Sequence, residues 1–474
     1  MNNRDIYLGG AWVPAQGRDV IPVIDPSTEQ CVATVPECST EDVDAAVQAA
    51  WKARSALRAM SVEERADMLL RLAGELERRS SDLADTISIE MGMPRRLSER
   101  YQVASAIEVL RTTAAALYEV TFRDRIGHSL VVREPVGVVA AITPWNYPLL
   151  QTISKLGPAL AAGCPVVLKP SELAPLDAYL LCEAADTVGL PPGAINMVTG
   201  TGPHVGESLA RHHGVSMVSL TGSTRAGRRV AQVAASSVKR VALELGGNSP
   251  AIVLDDADLA TAVRHTVDSV MINSGQTCTA TTRLLVPYQQ LADAEALSAE
   301  AMAGYKIGAA TDPEADVGPL ANAPQLQRVR EHIERASVEG ARTVWAYPPE
   351  RLPDKGFFVS PTAFVTPDPT IDIARSEVFG PVLSIIPYVD ERDAITIANA
   401  TDYGLAARVW SADEERALRI AESIDSGVVH INDAPFNVRA PFGGYKQSGY
   451  GRELGRYGIE EFTELKSIQT GLAT

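Results

Sequence analysis

Residues 136–148 read Val136-Gly-Val-Val-Ala-Ala-Ile-Thr-Pro-Trp-Asn-Tyr-Pro148: an apolar run, a loop opened by Thr143-Pro144, and a proline where a helix can start. An apolar run without polar alternation suits a strand covered on both faces. The unit recurs. Short apolar runs stand at 166–168, 195–198, 217–220 and 241–245, and helices are expected after Pro148, Pro175, Pro203 and Ser223. Strands alternating with helices predict an α/β fold with a parallel sheet covered on both faces. Such a sheet takes ligands at the carboxyl ends of its strands, where the loops T-P-W-N (143–146), K-P-S-E (169–172) and L-T-G-S (220–223) converge.

Outward from this region, Ser39 with Asp42 and Ser61 with Glu64 form capping boxes. Val43, Ala46, Val47, Ala50 and Trp51 follow the first at helical spacing, and Ala66, Leu69, Leu70, Ala73 and Leu76 the second. Residues 104–116 read as a third helix. Downstream, a second α/β region spans 248–446, with strands expected at 283–286, 382–386, 406–410 and 428–431. Segments 126–134 and 464–470 look like exposed strands belonging to neither body, and free strand edges call for a partner.

The chain has 474 residues, enough for two or three domains; 46% are hydrophobic and 22% charged. A net charge of −16 argues against nucleic acid or an anionic membrane as partner, since both demand clustered cations. Five scattered cysteines form neither a C-x-x-C pair nor a disulfide framework, as suits a reducing compartment. The amino terminus shows no export signal, and no apolar run is long enough to span a bilayer, so the expected location is cytoplasmic. The seven histidines show no metal-ligand spacing, no metal is expected, and His212-His213 reads as a solvated loop.

Asn273-Ser-Gly-Gln-Thr-Cys278 presents one thiol behind a short glycine turn. Taken alone, Cys278 would read as a small buried hydrophobe, as Cys31, Cys38, Cys164 and Cys182 do. Its company changes the reading. Leu243-Glu-Leu-Gly-Gly-Asn-Ser-Pro250 ends an apolar run on the carboxylate Glu244, and Glu377-Val-Phe-Gly-Pro381 lies downstream. With Thr143–Pro148 and Val167-Leu-Lys-Pro-Ser-Glu172, and with Tyr7-Leu-Gly-Gly-Ala-Trp12, Asp25-Pro-Ser-Thr-Glu29 and Pro441-Phe-Gly-Gly-Tyr-Lys-Gln-Ser-Gly449 at the two ends, the chain resembles the NAD(P)-dependent aldehyde dehydrogenase superfamily. The resemblance runs nearly end to end.

That resemblance implies a Rossmann-like parallel-sheet NAD-binding domain of residues 1–119 and 136–246, a second α/β catalytic domain of 247–447, and a β-strand oligomerisation arm and tail of 120–135 and 448–474. It implies Cys278 as nucleophile, Glu244 as the base that activates water, and Asn146 as oxyanion donor with the Cys278 N–H. For the cofactor, NAD, it implies Thr143, Pro144, Trp145, Lys169, Ser171, Glu172, Gly202, Gly206, Gly222, Ser223, Leu245, Gly246, Glu377 and Phe379. No G-x-G-x-x-G follows the first strand; the resemblance instead implies the pyrophosphate near the helix start at Gly222-Ser223, whose free N–H groups would suit an anion. Lys169 and Glu172 would take the adenosine ribose and Glu377 the nicotinamide ribose.

Lys155 and Glu453 match a proton path in some members, and serve equally well as a structural ion pair. Leu220 and Asn248 depart from the common Phe and Lys. Tyr147, Leu150, Gln151 and Ser154 share a helix face, with Phe436 and Phe442 as candidates opposite, for a substrate channel. Small Ser154 and the lack of a cation on that face imply a neutral, bulky or aromatic aldehyde, unless Arg439 binds a carboxylate. A homodimer or homotetramer is implied. The alternatives are a CoA-acylating or phosphorylating relative, which Glu244 disfavours, and a non-catalytic binding protein of the same fold.

Overall fold

The computed structural model describes residues 5–17 and 19–471; the ends of the expected first domain and tail, 1–4 and 472–474, and residue 18 lie outside the described residues. The apolar runs form the core of an eight-stranded sheet. Its five central strands, in spatial order Ile195–Met197, Val166–Lys169, Val139–Ile142, Met217–Thr221 and Arg240–Glu244, are all parallel. The chain leaves Val139–Ile142 towards one side and returns to build Met217–Thr221 on the other. This reversal opens a crevice at the carboxyl ends of the two strands.

Antiparallel strands close both flanks: Asp5–Leu8 with Ala11–Pro14 on one side, Gly449–Tyr450 on the other. Gly449 and Tyr450 stand in the expected tail, yet they pair with Glu244 and Leu243 and so cover what would otherwise be an open edge beside the candidate base. Helices Pro148–Ala162 and Ser105–Ala116 pack together beneath this region, with Gly455–Glu461 against both.

The second sheet has seven strands, in the order Arg342–Ala346, Thr362–Val365, Val382–Tyr388, Arg283–Pro287, Pro250–Val253, Ala406–Trp410 and Val428–Ile431. Only Arg342–Ala346 is antiparallel. The four expected strands are joined by three that the sequence pattern did not separate from their surroundings. Fully buried Arg283, on the central strand, donates to the carbonyls of Asn248, Ile397 and Ala398 at 2.8–2.9 Å. It thereby ties the chain after Glu244 to the carboxyl end of helix Glu391–Asn399, where a cation is favoured.

A third sheet joins Arg123–Ile126, Ser129–Pro135 and Thr463–Gln469, uniting the two exposed segments in register from Thr463↔Pro135 to Gln469↔Ser129. Both capping boxes are formed. Trp51 and Leu70 leave the buried stripes of their helices and are half-exposed; Trp51 donates its indole N–H to the Gly214 carbonyl. Ser105–Ala116 is preceded by an unforeseen π-helical turn, Ser98–Ala104.

Candidate active site

Helix Leu259–Met271 ends in a tight turn in which Asn273, Ser274 and Gly275 have φ of 52°, 56° and 74°. Asparagine and glycine tolerate this left-handed region; serine does so at a cost, and Ser274 is held by donating its hydroxyl to the Gly318 carbonyl at 2.7 Å. Gly275 has no alternative, because a Cβ there would lie 2.0 Å from the Gly380 carbonyl oxygen. The turn delivers Cys278 to the floor of a cleft of about 730 Å³. This is the size of a ligand site.

All fourteen residues expected to hold the cofactor line that cleft, together with Asn146, Gln151 and Cys278. They come from the ends of the parallel strands and from both sheets. Lys169 is buried and donates to Glu172 at 3.2 Å and to the Pro170 carbonyl, so this is no surface ion pair; burial lowers its pKa against the pull of Glu172. Ser223 caps helix Thr224–Ala234 by accepting from Ala226 N–H, while Gly222 N–H donates to the Glu244 carbonyl. Of the N–H groups expected free at this helix start, that of Gly222 is spent, because it continues the strand ladder.

On the opposite wall, Glu377 accepts from Gly247 N–H at 2.8 Å, and burial lifts its carboxyl to about 7. A Cβ on Gly246 would stand 2.1 Å from this carboxylate, which would then have to swing out of its place. Phe379, itself at φ 56°, sets its ring edge-on to Trp145 with centroids 5.5 Å apart. Gln325 holds that strained residue by donating to its carbonyl at 2.8 Å.

Burial, with Glu377 and Glu244 nearby, pushes the Cys278 thiol up to about 12. Glu244, the last residue of its strand, is 5% exposed, and its Oε2 has no hydrogen-bond partner among the described residues. Burial and the Glu453 carboxylate raise its pKa well above the usual range, with Lys155 and Arg452 pulling the other way. It does not line the cleft; it stands behind it. Lys155 is wholly buried and donates to both Glu453 and Thr221, each at 2.5 Å. Among the described residues no group of histidine, cysteine and carboxylate side chains is arranged to hold a metal.

Asn146 donates through Nδ2 to the Gln276 carbonyl at 3.0 Å, and the Tyr147 hydroxyl lies 2.8 Å from Thr277 Oγ1. Two successive residues of one loop thus grip the two residues before Cys278. Of the expected channel residues, Gln151 accepts from Thr221 and faces the cleft just described. Leu150 is partly buried, and Ser154 is buried, donating to the Leu150 carbonyl. Phe442 is buried and Phe436 half-exposed, with centroids 5.6 Å apart. Arg439 pairs with Glu119 at the surface, and stacked His212 and His213 are separated in role: His212 binds Asp44. Sequence reasoning missed Gln102, Asn273, Gln276, Gln325 and Arg328. Asn273 and Gln276 sit inside the quoted cysteine motif; the others carry no signal beyond ordinary helical sequence.

A parallel-sheet cleft of dinucleotide size that ends on a thiol defines the class of protein. The aldehyde dehydrogenase family model matches residues 12–468. The chain is 45% identical over 468 residues to 3-succinoylsemialdehyde-pyridine dehydrogenase of a Pseudomonas species, covering 98% of each. It is similar at a TM-score of 0.95 and 44% identity to a mutant of aldehyde dehydrogenase C from Pseudomonas syringae, solved with NAD+ and octanal, over 98% of this chain and 96% of that one. It is likewise similar to Mycobacterium tuberculosis aldehyde dehydrogenase complexed with NAD+, at 0.97 and 38%, covering 100% and 99%. The chain belongs to the aldehyde dehydrogenase family.

Proposed function

We propose that the protein oxidises an aldehyde to its carboxylic acid with NAD, through a thiohemiacetal and a thioester on Cys278. The observation that carries this is the single cleft that gathers the fourteen expected dinucleotide contacts and ends on Asn146 and Cys278. The residues fit the cofactor: Glu172 and Lys169 suit a ribose diol, Glu377 a second ribose, and Phe379 against Trp145 a flat ring. NAD, when bound there, supplies a hydride acceptor.

An aldehyde carbonyl has no good hydride to give until a nucleophile adds. Cys278, as its thiolate, adds to the carbonyl carbon, while the carbonyl π electrons move to oxygen. Asn146 and the Cys278 N–H donate to that oxyanion. Collapse of the oxyanion expels hydride and leaves a thioester. Glu244, whose proton affinity burial raises above the usual carboxylate range, takes a proton from water as the water attacks the thioester carbon; the C–S bond breaks, the acid leaves and the Cys278 thiolate is restored. Without Glu244, a CoA or phosphate acceptor would be the better reading.

For the substrate channel we keep Tyr147, Leu150, Ser154, Phe436 and Phe442 as the proposed lining. A small Ser154 and the surface pairing of Arg439 support a neutral, bulky aldehyde. The relatives named above carry a pyridine semialdehyde in the name and octanal in the crystal, neither of them a two-carbon aldehyde. The exposed arm sheet supports a homodimer or homotetramer, which light scattering would test. Among the described residues no helix is long and apolar enough to cross a membrane, and a cytoplasmic location is in keeping with the free cysteines. An aldehyde panel followed by NADH absorbance, with NAD and NADP in parallel, tests reaction and cofactor together. No NADH with any aldehyde would refute the proposal.

A further inference from the structure

Oxyanion stabilisation depends on direction as much as on the presence of a donor, because a donor earns its effect only where it meets the oxygen of the transition state. A side-chain amide on a loop has two rotatable bonds and can turn away. Asn146 is on such a loop, between strand Val139–Ile142 and helix Pro148–Ala162. The side-chain amides of Gln102 and Asn273 and the main-chain carbonyl of Gln276 all bond to it.

The Asn146 carbonyl oxygen accepts two hydrogen bonds, from Gln102 Nε2 at 3.0 Å and from Asn273 Nδ2 at 2.9 Å. Asn273 Nδ2 also donates to the Gln276 carbonyl at 3.2 Å, the same oxygen that receives Asn146 Nδ2 at 3.0 Å. Gln276 in turn donates through Nε2 to the Asn273 carbonyl at 3.0 Å and accepts from Ala321 N–H at 2.9 Å. Main chain and side chain of Asn146 are therefore both fixed to the turn that carries Cys278. The Asn146 amide has two N–H groups. With one spent on Gln276, planarity sets the direction of the other.

Two features distinguish this from ordinary core packing. Gln102 and Asn273 are buried, at 0% and 1% exposure, and their side-chain oxygens have no hydrogen-bond partner among the described residues. An unpartnered buried acceptor is costly, and sites that tolerate one commonly hold geometry for function. Gln102 moreover stands on the π-helical turn Ser98–Ala104, and Asn273 has left-handed backbone. Both are local departures from regular structure of the kind found at functional sites.

We propose that Gln102 and Asn273 are positioning residues that aim the free N–H of Asn146 at the oxygen of the reacting carbonyl beside Cys278. This inference rests on the oxidation proposed above. Neither side chain touches substrate or cofactor in this scheme; both act through Asn146. Loss of either leaves the donor present but loosely aimed.

The test is a pair of double-mutant cycles on the full-length enzyme with NAD and hexanal: Gln102→Met and Asn273→Gly, each alone and combined with Asn146→Ala. Glycine keeps the left-handed backbone at 273 available, so this variant survives should Gln102→Met fail to fold. Each single substitution is expected to lower kcat roughly 10- to 100-fold, with NAD affinity and aldehyde KM within about threefold of the unaltered protein. On the Asn146→Ala background the same substitution should change kcat less than about twofold, since nothing remains to aim. An equal loss on both backgrounds would mean general disturbance and overturn the inference, as would an unchanged kcat in both single variants. An unaltered protein that produces no NADH from any aldehyde overturns the oxidation itself, which is a separate outcome.

Discussion

Lys155 Nζ lies 2.5 Å from Glu453 Oε1 inside the protein, joining helix Pro148–Ala162 to the chain just before helix Gly455–Glu461. Behind the cleft this pair sets the electrostatics of the candidate base. Burial first and the Glu453 charge second raise the pKa of Glu244, while Lys155 opposes them. Glu453→Gln removes the larger of the two charge effects, so the acidic limb of the kcat profile should move to lower pH. A limb that stays in place would separate Glu453 from the base.

Glu244→Gln should form the thioester and release it slowly. Rapid mixing with hexanal is expected to give a burst of NADH, and mass spectrometry of the stopped enzyme an acyl adduct. A variant that stalls before any NADH appears would show that Glu244 acts ahead of hydride transfer.

Cys278→Ala should lose turnover by at least about 1000-fold while still binding NAD. The thiol stands at about 12, raised by burial and then by Glu377. Glu377→Gln takes away a negative neighbour, so iodoacetamide should alkylate Cys278 faster in that variant at pH 8 without cofactor. Equal rates would refute the coupling.

Cofactor choice should follow Glu172, whose carboxylate beside Lys169 suits a ribose diol and repels a 2′-phosphate. NAD is expected to give the higher kcat/KM than NADP, and Glu172→Ser or Glu172→Gln to narrow the difference. Substrate size should follow Ser154: hexanal and phenylacetaldehyde are expected to exceed acetaldehyde and succinic semialdehyde in kcat/KM. Ser154→Trp should penalise the larger pair most.

Away from the cleft, Glu90 accepts from the N–H groups of Leu176 and Asp177, and neither oxygen of buried Asp177 has a hydrogen-bond partner among the described residues. Burial lifts Asp177 to about 7, and burial with Asp177 lifts Glu90 well above its usual value. Carboxyls with raised folded pKa bind protons more tightly in the native state. Their stabilisation is full below about pH 4, the unfolded value, and is lost as pH rises through about 7. The melting temperature should therefore fall between pH 5 and 8, and fall less in Asp177→Asn, by on the order of a few degrees. Parallel curves would exclude the pair as the cause.

The first sheet was legible because its strands are short, continuously apolar and punctuated by proline and glycine, a pattern that one covered parallel sheet explains. Cys278, Glu244 and Asn146 stood out as candidates through the motifs around them and the resemblance those motifs carry. Strands Pro250–Val253, Thr362–Val365 and Arg342–Ala346 were not, since short apolar stretches beside loops carry no period of their own. Nor could linear spacing bring Tyr450 against Leu243, Lys155 against Glu453, or Gln102 against Asn146. By itself the sequence determined the fold class and singled out the candidate residues for chemistry, because local pattern and side-chain type are properties of neighbours in the chain. Tertiary structure alone decided which groups share a desolvated space: the proton affinities of Glu244 and Cys278, the spent N–H of Gly222 and the aim of Asn146 all depend on burial and on partners 22 to about 220 residues away.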